Sequence, residues 1–351
     1  MIDGSDVDDV AATGPANPGA RIVDTVAVKR GPIGGMAVSA DGARLMTTNY
    51  GDDTISIIDT ASGTVVSTVF RTDEPFSIAA GPAGTARAYA TASTMALDAV
   101  LAIDTDAAEV IGCYPVELGI GHLVADPMGQ RVYVTRTGPA GVEVLALDEA
   151  MRPLGAVSVS GSRVADSACL RISPDGQRLY AAVRHPSGDA VTVLDRNLNV
   201  IDVIRVGVTI IDVAVSPDGS LLFVATCGSD GRGTVHVVDA RTHAAGAGLV
   251  VDAQLIQLIV SRDGARVYLV TAAGIVAICA RTSETLGTLN AATAPSCAVE
   301  SPDGSRLYIA DFDGAVTVAS LADLPAPSAS LHEQLALDDA VSRMLLLEPA
   351  V

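Results

Sequence analysis

Between residues 21 and 321 the chain alternates short runs of β-branched and aliphatic residues with clusters of Asp, Ser, Gly and Pro. One unit shows the pattern. Gly35-Met36-Ala37-Val38 is a short run that stops at Ser39-Ala40-Asp41-Gly42; Arg44 to Thr48 forms a second run, Thr54 to Ile58 a third and Thr64 to Phe70 a fourth. Asn49-Tyr50-Gly51-Asp52-Asp53 and Asp59-Thr60-Ala61-Ser62-Gly63 separate the last three. Apolar runs of this length, bounded by turn formers, predict the four strands of an antiparallel meander. Asp and Ser suit the turns because their short side chains bond nearby backbone groups, and Gly because it accepts positive φ.

The unit recurs. Its turn phrase reads SADG at 39–42, AGPAG at 80–84, ADPMG at 125–129, SPDG at 173–176, SPDG at 216–219, SRDG at 261–264 and SPDG at 301–304. The final glycines, Gly42, Gly84, Gly129, Gly176, Gly219, Gly264 and Gly304, lie 40 to 47 residues apart. A period of that size in an all-β pattern is one propeller blade, so the expected fold is an all-β, seven-bladed β-propeller of four-stranded antiparallel blades. Third strands are expected to close on Asp59, Asp104, Asp195 and Asp239, with Ala146, Ala280 and Ser320 in the other repeats. The seventh repeat ends after its third strand, Val316-Thr317-Val318, and lacks an outer one. Arg21 to Val28 offers a spare strand ahead of the first repeat. An N-terminal strand pairing with the last blade would close the ring and remove two exposed edges.

Three segments are expected on this basis. Residues 1–20, acidic and rich in Gly, Pro and Ala, read as a disordered N-terminal segment; 21–321 form the propeller; 322–351 form a linker and a short C-terminal helix opened by Ser330 and Glu333 as a capping box.

Composition narrows the partners. With 41 acidic against 22 basic residues the formal net charge is −19. That field repels phosphate backbones and anionic headgroups, so neither nucleic acid nor direct lipid binding is expected, and a basic protein surface is the favoured partner. Aromatic residues are 3% of the chain and Trp is absent, which leaves Val, Ile, Leu and Ala to pack the core. Lys29 is the one lysine; the bias to Arg, Ala, Val and Gly points to a high-GC bacterial source. The first twenty residues carry neither the basic start nor the apolar run of a signal peptide. No stretch of about 18 apolar residues offers a membrane span, so a cytoplasmic address is expected. Cys113, Cys169, Cys227, Cys279 and Cys297 form no CxxC pattern and read as reduced, mostly buried thiols.

Val132-Tyr133-Val134-Thr135, and Asn49 to Asp59 after an SPDG-like turn, resemble the YVTN-type β-propeller repeats of bacteria and archaea over about residues 21–321. The resemblance implies the fold; that family spans surface proteins, binding proteins and members with no assigned role. A more distant resemblance is to the lactonase-type seven-bladed propellers, which carry Pro-Arg-His before an inner strand and an acidic residue after the next Tyr-Val strand. Here His122 matches the histidine, Gly121 stands in place of the arginine, and Arg136-Thr137 occupy the neighbourhood of the acid.

Candidate chemistry lies where the repeats differ, in the loops of the face opposite the SPDG turns, called the top. Four residues before each turn, Gly35, Ser77, His122, Cys169, Asp212, Gln257 and Cys297 are expected to open the inner strands and ring the channel mouth. His122, Cys169 and Asp212 could ligate a transition metal, but no HxH or CxxC spacing focuses them, and polar residues around a wet channel are the plainer expectation. Arg171 is expected to face Asp212 of the next blade, or Glu300. Arg136, Arg184 with His185, and Arg232 sit on adjacent top loops and could bind an anion or carboxylate, or simply balance Asp189 and Asp230. Asp311-Phe312-Asp313-Gly314 suggests a tight turn rather than calcium, which needs more oxygen ligands. No P-loop, GxSxG or HExxH is present.

The expectation is therefore a non-enzymatic cytoplasmic interaction scaffold with no cofactor, monomeric on its own. It would dock through a basic partner, for which the Arg- and Lys-rich cytoplasmic loops of an inner-membrane transport or envelope-assembly complex are suited. An anionic small-molecule binder on the top face and a lactonase-type hydrolase are the alternatives.

Overall fold

The computed structural model describes residues 20–28, 31–93, 97–117, 119–138, 141–162, 165–206, 208–246, 248–289 and 294–325. The helix expected around Ser330 and Glu333 lies outside them. Their strands form seven four-stranded antiparallel sheets. Six are consecutive meanders, beginning with Ile33–Val38, Arg44–Asn49, Thr54–Asp59 and Thr64–Val69. The seventh is composite: Arg21–Ala27 pairs antiparallel with Ala315–Ser320, the third strand of the last blade, with Thr25 opposite Thr317. The first strand of the chain thus closes the ring. Among the described residues no helix is long and apolar enough to cross a membrane.

The turn phrase works through its side chains. In blade one the Ser39 hydroxyl donates to Asp41 (2.6 Å) and accepts from Arg44 N–H (2.9 Å), while Asp41 accepts from Ala43 N–H (3.0 Å). The same set is built by Ser173 with Asp175, Ser216 with Asp218, Ser261 with Asp263 and Ser301 with Asp303. All seven final glycines have φ between 68° and 79°, a region costly for residues with a Cβ. The proline of one phrase also lies beside the glycine of the next: Pro127 at Gly176, Pro174 at Gly219, Pro217 at Gly264, and Pro302 at Gly42 across the closure. Where Ala40 replaces proline, the space beside Gly84 is open.

A second inter-blade tie uses arginines that open second strands, as six of the seven do. Arg178 donates to Ala240 O of the next blade, Arg306 to Thr60 O (2.8 Å) across the closure, and Arg131 to Arg196 O. The core lies between adjacent blades. Tyr180, Val191 and Val193 of blade four pack with Ile210, Val213 and Val224 of blade five, and comparable clusters fill the other gaps. Tyr89, Tyr133, Tyr180, Phe223, Tyr268 and Tyr308, one from each of six second strands, are buried, and each stabilises the fold by about 2–3 kcal/mol.

Two register expectations need correction. The residue opposite the opening arginine is Asp148 in blade three and Cys279 in blade six, not Ala146 and Ala280. In blade three the hairpin strands extend to eight residues each, Arg131–Gly138 and Gly141–Asp148, which shifts the closing position by two. Six of the seven inner strands also begin earlier than the ring residues; Ile78–Ala80 begins just after Ser77. Six of the seven carry a register shift there, such as Ile33/Gly35 and Ile210/Asp212, and the bulge re-aims the residue that follows it.

Candidate functional site

Six of the seven ring residues, all but Cys169, line the channel as expected. Three of them also reach sideways to the next blade. The Ser77 hydroxyl accepts from Leu123 N–H (3.3 Å), the Asp212 carboxylate from Leu258 N–H (3.0 Å) and the Gln257 carbonyl from Ala298 N–H (2.7 Å). Each donor immediately follows the ring residue of the neighbouring blade: Leu123 follows His122, Leu258 follows Gln257 and Ala298 follows Cys297. The Cys169 thiol lies against Val213 N–H and Asp212 in the same way, fully buried, its pKa pushed up to about 12 by burial and then by the Asp212 charge. Gly35 and His122 make no such link, and second-strand threonines substitute: Thr48 donates to Phe76 O (3.0 Å), and Thr135 pairs with the Ser167 hydroxyl (3.0 Å). Among the described residues no three His, Cys, Asp or Glu side chains are grouped to hold a metal ion.

Inside this ring is a lumen of about 670 Å³, whose lining runs from Arg184 to Pro174 of a bottom-face turn. Four of the sequence candidates line it: His122, Arg171, Arg184 and Asp212. Arg171 reaches Asp212 at 2.6 Å and Leu170 O at 2.9 Å, so its partner is Asp212 and not Glu300. Glu300 instead accepts from Arg262 N–H at the opposite face (2.6 Å), and burial raises its carboxyl to about 7. His122 meets the Phe76 ring edge-on at 5.2 Å; burial, aided by the Arg171 charge, lowers it to about 4, so its imidazole is neutral near pH 7. Arg184 Nε donates to Ile210 O (3.0 Å), while its Nη1 stands 3.7 Å from the exposed Asp166.

The other candidates lie away from the lumen. Arg136 is locked to Glu143 across its own hairpin at 2.9 Å. Arg232 pairs with exposed Asp252 at 3.1 Å, and the His185 imidazole is turned to Ser187 at 2.5 Å. Asp311 accepts from Asp313, Gly314 and Ala315 N–H, which accounts for its phrase as a turn.

A feature absent from the sequence candidates occupies the top loops of blades seven, one and two. The chain has four phenylalanines, and three of them are exposed here: Phe70 (65%), Phe76 (40%) and Phe312 (51%). Tyr50 joins them, its hydroxyl donating to Glu74 at 2.9 Å. The loops are tied together, because Asp53 accepts from Glu74 N–H (2.8 Å) and Thr72 donates to Asp53 O (2.9 Å). The same loops carry Asp52, Asp53, Asp73, Glu74 and Asp313, with Arg71 the one cation among their described residues. The signal available in sequence was the scarcity of phenylalanine and its placement between strands.

Seven sheets, shared turn chemistry and an N-terminal closing strand define a seven-bladed β-propeller protein. The chain is 37% identical over 353 residues to the seven-bladed beta-propeller protein Rv1057 of Mycobacterium tuberculosis, covering 91% of this chain and 88% of that protein, and it belongs to that propeller family. No protein-family profile matches it. Among solved structures it is similar to hydrazine synthase of Kuenenia stuttgartiensis, with a TM-score of 0.71 and 18% identity over 84% of this chain and 97% of that one. At that identity the likeness is one of fold.

Proposed function

We propose that this propeller, whose repeats resemble the YVTN type, is a non-enzymatic cytoplasmic scaffold that holds a basic protein partner on its top face. The observation that carries the reading is the exposure of Phe70, Phe76, Phe312 and Tyr50 on top-face loops that also carry carboxylates. Exposed aromatics on tied loops supply the desolvated centre of a protein interface, and the surrounding charge selects a partner rich in Arg and Lys. Cytoplasmic loops of bacterial membrane proteins have that composition. Docking under an inner-membrane transport or envelope complex, as a monomer without lipid or nucleic-acid contact, is the arrangement that fits a net charge of −19. A hydrolytic role gains no support from His122, whose neighbours are Phe76, Thr135 and the Arg171–Asp212 pair.

The test is capture from solubilised membranes by the wild-type protein and by Phe70→Ser/Phe312→Ser, at low and high salt. A partner retained by wild type at low salt, and lost with either change, supports the reading. Capture that is indifferent to both contradicts it.

A further inference from the structure

The lumen has an uneven wall. Its lining from blades six, seven, one and two carries no Asp, Glu, Arg, Lys or His; those side chains come only from blades three to five. Arg171 and Asp212 offset each other at 2.6 Å. Asp212 is further occupied by Leu258 and Val213 N–H, so this pair forms part of the inter-blade clasp. Arg184 is different. Its Nε is anchored on Ile210 O, which leaves the Nη edge beside the lumen with only the long contact to Asp166, itself largely in solvent. His122 lies within the fields of both arginines and of Asp212 and Asp166 and is neutral near pH 7, so it contributes no charge of its own. Arg184 is thus the cation of the lining that no carboxylate holds at hydrogen-bond distance. The rest of the lining mixes Ser77, Gln257 and Ser296 with aliphatic residues that include Ile78, Leu123, Ile211, Ile256, Ile259 and Val299.

We infer that the lumen binds a small amphipathic carboxylate, its head on Arg184 beside His122 and its apolar body against these aliphatic residues. A guanidinium edge matches a carboxylate in geometry and charge, and the volume falls in the range of small-molecule pockets. The site shares Phe76 with the aromatic surface, but its head contact is Arg184, so the Arg184 variants test it independently of the Phe70 and Phe312 changes.

Octanoate is a suitable probe, with octan-1-ol, octylammonium and acetate as controls, titrated calorimetrically into the full chain. Octanoate is expected to bind at least tenfold more tightly than any control. Arg184→Met is expected to lose at least tenfold, and Arg184→Lys to stay within a few-fold of wild type. Arg184 is half-exposed, so thermal melts of both variants should match wild type. Equal binding of octanoate and octanol, an unchanged Arg184→Met, or no octanoate binding at about 10 mM would each overturn the inference.

Discussion

The Arg171 guanidinium of blade four lies 2.6 Å from the Asp212 carboxylate of blade five, and that carboxylate also accepts the Leu258 N–H of blade six. One side chain therefore joins three consecutive blades. Asp212→Ala strands a cation and two backbone N–H groups and should cost about 3–5 kcal/mol. Adding Arg171→Met removes the stranded charge, so the double variant should regain about 1 kcal/mol or more. Urea denaturation of the four proteins measures this coupling; additive losses would show that the two residues act separately.

Glu300 and His122 should pull stability in opposite directions with pH. Native Glu300 keeps its proton to about pH 7, whereas the carboxyl of the unfolded chain releases it near 4.5, so the native state binds more protons between those values and stability falls as pH rises. Native His122 gives up its proton by about 4 against 6.5 when unfolded, so stability rises with pH across that window. Between pH 4.5 and 6.5 the two partly cancel. Glu300→Gln should leave a rising profile and His122→Gln a falling one, with the Glu300 contribution no more than about 3 kcal/mol. Chemical denaturation at pH 4.5, 5.5, 6.5 and 7.5 reads both slopes; parallel profiles would refute the assignment.

Deleting residues 1–28 should leave Ala315–Ser320 as an open edge. The truncated protein is expected to melt at lower temperature and to associate in a concentration-dependent way, as seen by calorimetry and sedimentation velocity. A monomer with unchanged melting would mean that closure contributes little.

The repeat, the blade count and the closing strand were legible because each turn needs Ser, Asp and Gly in fixed order, which writes the period directly into the chain. Partner identity at a distance was legible once, for Arg171 and Asp212, because consecutive inner strands must face each other. The slip from Ala146 to Asp148 arose where two strands lengthened together, which leaves no trace in composition. The ring that places Ser77, Asp212 and Gln257 around the channel was legible in the repeat, whereas their hydrogen bonds to the next blade were not, since side-chain direction has no sequence signature of its own. Phe70, Phe76 and Phe312 were not singled out because about 240 residues separate them and only ring closure brings blade seven beside blade one.

The account rests most heavily on the top face being the one that docks. A photo-crosslinking amino acid placed at position 70 or 312, and at Met128 on the opposite face as control, tests this in cells of the native host. Met128 is 68% exposed, so the control is equally accessible. The expected result is one crosslinked partner from positions 70 and 312, with an Arg- and Lys-rich segment at the linkage, and none from 128. Crosslinking to the same partner from 128, or none from either top position, would contradict it.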